Sequence, residues 1–162
     1  ERRSLMSGEM MTAMKQAISE VMEKMFFMPV QINDKPGTLS EWFSSEEPII
    51  GATLSFTGIQ SGYSYLLIPA GAARELTANF LGYSEDTISE KHERDTVKEA
   101  LNMIVGYMLS QFEDAFKLGI PQYINESDFM AKRLEGDYNG AFSVKTYGNC
   151  IAAGLIMNMP LQ

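Results

Sequence analysis

Four residues between positions 95 and 106 have the types and the spacing for chemistry on one face of a helix. Asp95, Glu99, Asn102 and Gly106 recur at intervals of four, three and four residues, which places them together at about 100° per residue. The opposite face is apolar and consists of Val97, Leu101, Ile104, Val105 and Met108. Asn is a poor residue inside a helix, and packing does not require one there. The pattern therefore favours a functional carboxylate–carboxamide pair, Glu99 and Asn102, directed away from the core.

Most other kinds of reactive site are excluded by the sequence. It contains neither of the standard glycine-rich phosphate loops. Its single cysteine, Cys150, excludes a paired-cysteine zinc site and an intrachain disulfide. Its single histidine, His92, has no Gly-x-Ser-x-Gly motif with which to form a hydrolase triad. His92, Asp95 and Glu99 could share a metal ion, but a solvated acidic helix face is the favoured interpretation. We therefore predict no metal site and no cofactor of the chain's own.

The composition predicts one compact domain without a nucleic-acid or membrane partner. A length of 162 residues, with 45% hydrophobic and 21% charged residues, suits a single globular domain over 1–162. The formal net charge of −8 disfavours binding to nucleic acid or to an anionic membrane surface. No apolar run approaches the roughly 20 residues of a membrane-spanning helix. The low cysteine content fits a reducing, cytoplasmic setting.

Helices and strands would position this helix face. Along the chain they are grouped rather than strictly alternating, which predicts an α+β fold. Periodicity and turn signals predict a helix at 4–27, a strand at 29–33, a loop at 39–47, strands at 49–59 and 63–68, a helix at 72–81, a long helix at 91–117, and strands at 140–147 and 150–159. The loop would anchor Trp42 and Phe43. The last two strands would form a hairpin with its tight turn at Gly148-Asn149.

Two finer predictions concern which faces are buried. On the strand at 49–59, Ala52, Leu54 and Phe56 alternate with Thr53, Ser55 and Thr57, so the first set should pack and the second should meet water or a partner. The apolar stripe of the first helix is rich in methionine and includes Met6, Met10, Met14, Met22 and Met25. We interpret these methionines as core filling rather than as an adaptable binding groove.

The motif at 95–106 resembles the active-site helix of the CheC/CheX/FliY phosphatases of bacterial chemotaxis. The family motif has Asp or Ser, then Glu, then Asn at the spacing of Asp95, Glu99 and Asn102. The continuation Asn-Met-Ile-x-Gly at 102–106 is similar to the CheX type, which has one motif helix where CheC and FliY have two. The predicted order of helices and strands also resembles that of the family. Gly-Ile-Pro at 119–121 stands where the family has a Leu/Ile-Pro segment. The resemblance implies a single CheX-like domain, an antiparallel-rich sheet with long helices packed on it.

The resemblance also implies a phosphatase that hydrolyses the aspartyl phosphate of a phosphorylated CheY-like response regulator. Glu99 and Asn102 would be catalytic: Asn102 would position the attacking water, and Glu99 would pair with the lysine of the regulator's phosphate site. Asp95, Met103 and Gly106 would contribute to docking. The regulator would supply Mg²⁺.

Two other interpretations stay open. The chain could be a non-catalytic module of the same fold that docks a response regulator or a flagellar-switch component. It could also be a structural dimer whose polar helix face is incidental. The family resemblance implies a homodimer formed through strands, and the β-rich end at 151–159 is the segment expected to pair at an open sheet edge.

Overall fold

The computed structural model describes residues 2–35, 37, 39–43, 46–113, 115–125 and 138–158. Its helices are α1 (Arg2–Phe26), α2 (Leu39–Trp42), α3 (Ala70–Leu81) and α4 (Glu90–Ser110), with a 3₁₀ turn at Glu85–Thr87. Its strands are β1 (Gln31–Asn33), β2 (Ile49–Gly58), β3 (Ser61–Pro69), β4 (Phe116–Leu118), β5 (Gln122–Ile124), β6 (Tyr138–Thr146) and β7 (Asn149–Asn158). The predicted α+β class is confirmed.

The strands of the described residues form one antiparallel sheet. Its order is β1-β6-β7-β3-β2, and the outer edge of β2 pairs with two short strands, β4 and β5. β4 lies opposite Phe56–Gly58, and β5 lies opposite Gly51–Thr53. The hairpins β2–β3 and β6–β7 are joined through β3 and β7. α4 packs over β2 and β3 and against α1 and α3, so the centre of the sheet is the platform that supports the predicted site.

The C-terminal strand lies inside the sheet rather than at its edge. β7 pairs with β6 on one side and with β3 on the other, and its residues 151–157 are buried. The backbone donors and acceptors of these residues are therefore already used within the sheet. The prediction that this segment pairs with another chain at an open edge is wrong, and Met159, its last residue, lies outside the described residues.

The alternation predicted for β2 is confirmed on the inner face of the sheet. Its inward side chains are buried in the main core: Ala52, Leu54 and Phe56. On the outer face Ser55 and Thr57 are exposed, as predicted. Thr53 is buried instead, because it lies opposite Tyr65, which belongs to a second apolar cluster on the outer face.

That outer cluster consists of Tyr63, Tyr65, Leu67, Ala152 and Ile156. Trp42 and Phe43 pack against it half-buried, so the prediction that the segment at 39–47 anchors two aromatic residues is confirmed. The same segment was expected to be a loop, but its residues 39–42 form α2. Packing of the two aromatic rings on the sheet favours a turn of helix here over an irregular loop.

α1 fills the core with methionine, as predicted. The methionines of its stripe that are fully buried are Met10, Met14 and Met22. Met25 is 45% exposed, because its neighbour Phe26 takes the inward position and stacks on Phe80 with 4.9 Å between ring centroids. The side chain of Met6 lies outside the described residues.

α4 ends at Ser110, earlier than the predicted end at residue 117. The residues beyond it turn back to the sheet, where Phe116–Leu118 pairs with β2. Phe116 contacts Phe56 edge-on with 6.1 Å between ring centroids, and Gly119 N–H donates to Ser55 O at 2.8 Å. A longer helix would leave these edge groups of β2 without partners from this segment. The prediction of a helix through residue 117 is therefore wrong.

The tight turn of the last hairpin lies one residue earlier than predicted. Thr146 pairs with Asn149, so the two turn residues are Tyr147 and Gly148, with φ of 47° and 82°. Positive φ at both positions is the requirement of a type I′ turn, for which Asn-Gly is the preferred sequence. Tyr147 adopts this conformation at a steric cost.

The substitution Tyr147→Asn should stabilise the fold by about 0.5–1 kcal/mol, because Asn tolerates positive φ better than Tyr. The native side chain makes one exposed hydrogen bond, from Tyr147 Oη to Phe27 O at 3.3 Å, which offsets part of that gain. Chemical denaturation measures the difference. Tyr147→Phe is the control, since it removes the hydroxyl and keeps the backbone conformation. A Tyr147→Asn protein no more stable than Tyr147→Phe would contradict this account.

Candidate functional site

α4 begins with a reciprocal cap between Ser89 and His92. His92 N–H donates to Ser89 Oγ at 3.1 Å, and Ser89 N–H donates to His92 Nδ1 at 3.1 Å. This is a capping box with histidine in the place of the usual Glu or Gln. The sequence prediction does not include it, although the Ser-x-x-His spacing at 89–92 is a recognisable signal. The cap fixes where the helix starts and engages one ring nitrogen of His92.

The inner face of α4 is anchored as its apolar period predicts. The five predicted inward residues are all fully buried: Val97, Leu101, Ile104, Val105 and Met108. They belong to the main core together with residues of α1, α3 and the sheet. Burial of side chains of this size stabilises by about 1.5–3 kcal/mol each, so the helix has little freedom to rotate about its axis.

An ion pair with one buried partner, Glu93, ties the start of α4 to α3 and to the connector between them. Arg74 Nη2 lies 3.0 Å from Glu93 Oε1, and the Glu93 side chain is only 5% exposed. Arg74 Nη1 donates to Glu85 O at 2.7 Å and to Ile88 O at 3.3 Å. Burial raises the pKa of Glu93, and the Arg74 guanidinium opposes that rise. Sequence analysis did not single out this pair, which fixes the position of α4 before the motif begins.

The two predicted catalytic side chains lie on the outer face of α4. Glu99 is exposed and Asn102 is half-exposed. Neither side chain makes a hydrogen bond or an ion pair with any of the residues that the structure describes. Asn102 lies three residues after Glu99, so the two side chains project side by side from neighbouring turns. A carboxylate and a carboxamide in this arrangement can enter one pocket of another molecule together.

Asp95 shares this face but is already engaged. Its Oδ2 lies 2.9 Å from Lys91 Nζ, and its Oδ1 lies 3.4 Å from Lys98 Nζ. The hydrogen bond from Lys91 is the main reason that the pKa of Asp95 lies below its ordinary value. The carboxylate predicted to dock a partner is thus neutralised by two lysines of its own helix.

The other two predicted docking residues lie beside the pair. Met103 is half-buried against the core. Gly106 is half-exposed, and a Cβ added to it would meet no atom within 4 Å. This open space excludes close packing of a strand of the described residues against Gly106. Because Gly costs about 1 kcal/mol relative to Ala inside a helix, the residue is unfavourable for the isolated helix.

A row of cations follows the neighbouring side of α4. Arg94 lies over the Tyr123 ring, with 4.4 Å from the guanidinium carbon to the centroid, and its Nη2 is 3.5 Å from Glu90 Oε1. Lys91 and Lys98 are the two lysines that share Asp95. The polar motif therefore has a basic flank, which the sequence prediction does not mention.

Glu99 and Asn102 lie on the surface of α4, apart from two clefts of the described residues. A cleft of about 510 Å³ lies between α1 and the end of α4, and one of about 170 Å³ lies beside Cys150. Glu99 and Asn102 line neither of them. In the described ranges no group of three or more His, Cys, Asp or Glu side chains could hold a metal ion, and no helix there has the length and apolar character of a membrane span.

Comparison with protein families gives a match over more than half of the chain. The family model described as "Chemotaxis phosphatase CheX" matches residues 50–142. This range contains all of α4 and β3 and all of β2 except its first residue. No curated protein matches the chain.

Several solved structures share the fold. The CheX protein of Vibrio vulnificus is 14% identical, with a TM-score of 0.70 over 92% of this chain and 96% of its own. A chain of the CheX-CheY-BeF3-Mg+2 complex of Borrelia burgdorferi is 16% identical, with a TM-score of 0.64 over 91% and 97%. FliY of Thermotoga maritima is 13% identical, with a TM-score of 0.59 over 95% and 88%. At these identities the likeness is one of fold.

Proposed function

The chain belongs to the CheX family of chemotaxis phosphatases, and from this premise we propose that it dephosphorylates a CheY-like response regulator in the cytoplasm. Glu99 and Asn102 enter the regulator's phosphorylation site from α4. The observation that carries the proposal is that both side chains project from a firmly packed helix and bind no other described residue. The CheX-CheY complex of Borrelia burgdorferi supports a partner of this kind.

The reaction requires little from this chain beyond positioning. Water attacks phosphorus, the new P–O bond forms, and the regulator's aspartate leaves as a carboxylate with the electron pair of the broken bond. The Asn102 carboxamide oxygen accepts a hydrogen bond from the attacking water and holds it in line with that bond. Phosphoryl transfer depends mainly on such alignment and on electrostatic stabilisation. The regulator supplies the Mg²⁺.

Glu99 fixes the position of α4 relative to the regulator's phosphorylation site. Its carboxylate pairs with the lysine of the regulator's phosphate site through a charge-assisted hydrogen bond. Because Glu99 and Asn102 are held by the same helix, this contact places the carboxamide at a fixed distance from phosphorus. Met103 adds apolar contact, and the bare backbone at Gly106 admits a close approach of the partner.

Asn102→Ala should lower kcat for the phosphorylated regulator by about 100-fold, because the water loses its alignment, while affinity changes little. Loss of phosphate from acetyl-phosphate-treated CheY-like receiver domains of the same organism is the measurement. Gln111→Ala is the matched control, since it removes an exposed carboxamide at the C-terminal end of the same helix. Equal hydrolysis by the wild type and Asn102→Ala would refute the catalytic role. Binding without hydrolysis by the wild type would favour the non-catalytic module.

Gly106→Ala should stabilise the free protein by about 0.5–1 kcal/mol and weaken binding of the regulator about tenfold, because the added methyl meets the partner's backbone. Gly8→Ala is the matched control: it is also helical, its Cβ would also enter open space, and it lies on α1. Thermal unfolding and titration of the beryllofluoride-loaded receiver domain measure the two effects. Unchanged affinity in Gly106→Ala would remove this residue from the docking surface.

The homodimer implied by the family stays a prediction. It cannot form by backbone pairing of β7 with another chain, because both sides of this strand are already paired. Light scattering at micromolar concentration should give about twice the mass of one chain, and a mass of one chain would contradict it.

A further inference from the structure

The proposed partner presents an electrostatic difficulty to this chain. A site that holds Mg²⁺ and an acyl phosphate contains carboxylates and phosphoryl oxygens, so it presents anionic oxygens to an approaching helix. The chain itself carries a formal net charge of −8, and the residue it inserts, Glu99, is one of its anions. Two molecules of the same sign repel each other at long range. A local cation beside Glu99 would offset this repulsion where the surfaces meet.

The geometry of α4 provides such a cation. Lys91 and Lys98 share the single carboxylate of Asp95, so the three residues together carry one net positive charge. Arg94, on the same flank, is balanced by Glu90 and covered by contact with Tyr123. The positive excess therefore lies with the two lysines.

Of these lysines, Lys98 is the one in reach of the motif. It precedes Asn102 by four residues, so its side chain lies one turn away on the same side of the helix. Lys91 lies seven residues before Lys98, which is about 10 Å along the axis. The contact of Asp95 with Lys98 is also the longer one, at 3.4 Å against 2.9 Å for Lys91. Lys98 can leave Asp95 while Lys91 continues to neutralise it.

We propose that Lys98 is a specificity-determining residue that binds a carboxylate at the rim of the partner's phosphorylation site, with Asp95 as the positioning residue that holds it beside Glu99 until the surfaces meet. The inference rests on the proposed function and names the chemistry that the partner must present. A receiver domain with a neutral or basic rim is a poor substrate.

The test compares Lys98→Gln with Lys24→Gln, which removes the same charge from an exposed lysine that is paired with a carboxylate four residues away on α1. Steady-state hydrolysis of acetyl-phosphate-treated receiver domains is measured from low to high salt. Lys98→Gln should raise KM about three- to tenfold with kcat within about twofold, and it should flatten the dependence of kcat/KM on salt. Lys98→Arg should restore the wild-type values. Lys24→Gln should leave KM within about 1.5-fold of the wild type.

Two results would overturn the inference: wild-type KM and salt dependence in Lys98→Gln, or equal effects of the two substitutions, which would show a general charge effect. Titration of the beryllofluoride-loaded receiver domain gives an independent readout of affinity. If the wild type binds but does not hydrolyse, the proposed function fails, and the affinities of Lys98→Gln and Lys24→Gln still decide whether Lys98 recognises the rim.

Discussion

The site depends on the burial of one face of α4 against the sheet. Val97, Leu101 and Ile104 are fully buried, and a rotation of the helix by one residue, about 100°, would bring them to the surface at a cost of several kcal/mol. The same period leaves Glu99 and Asn102 no other direction than outward. The apolar face therefore determines where the polar face points, and the core holds a reactive pair that makes no contact with it. Preorganisation of this kind lets two side chains enter a partner's site without first becoming ordered.

Properties of the sequence that repeat locally predict the structure well, and properties that depend on distant strands do not. The period of α4 gives the directions of Glu99 and Asn102 because each depends only on neighbours within two turns. The end of α4 is different: Phe116 suits a helical stripe as well as a strand, and the unpaired edge of β2 decides for the strand. The interior position of β7 and the burial of Thr53 likewise follow from strand order and from Tyr65 on the adjacent strand. In the last hairpin the pairing of Thr146 with Asn149 outweighs the local preference of Tyr147.

Some contacts of the site likewise follow from local sequence patterns, and others depend on distant residues. The two lysines on Asp95 lie at i−4 and i+3, so their ion pairs could have been read from the sequence. The motif considered without its neighbours predicts instead that the carboxylate of Asp95 is free. The Arg74–Glu93 pair joins two helices across a connector, and no local pattern predicts it. Its role is to fix the approach of α4, which makes it as necessary to the geometry as the buried apolar face.

Glu99 lacks the ion pair within its own helix that Glu20, Glu90 and Asp95 make. Glu20, Glu90 and Asp95 each have a cation three or four residues away on the same helix, and each is paired with it. The positions three and four residues from Glu99 hold Asp95, Thr96, Asn102 and Met103, none of them a cation. The helix thus leaves this charge without a local partner, and no other described residue neutralises it. An exposed unpaired carboxylate costs the fold little, but a lysine within its reach would compete with the partner's lysine. The absence of such a lysine keeps Glu99 available, while the lysines on Asp95 supply positive charge on the neighbouring side of α4.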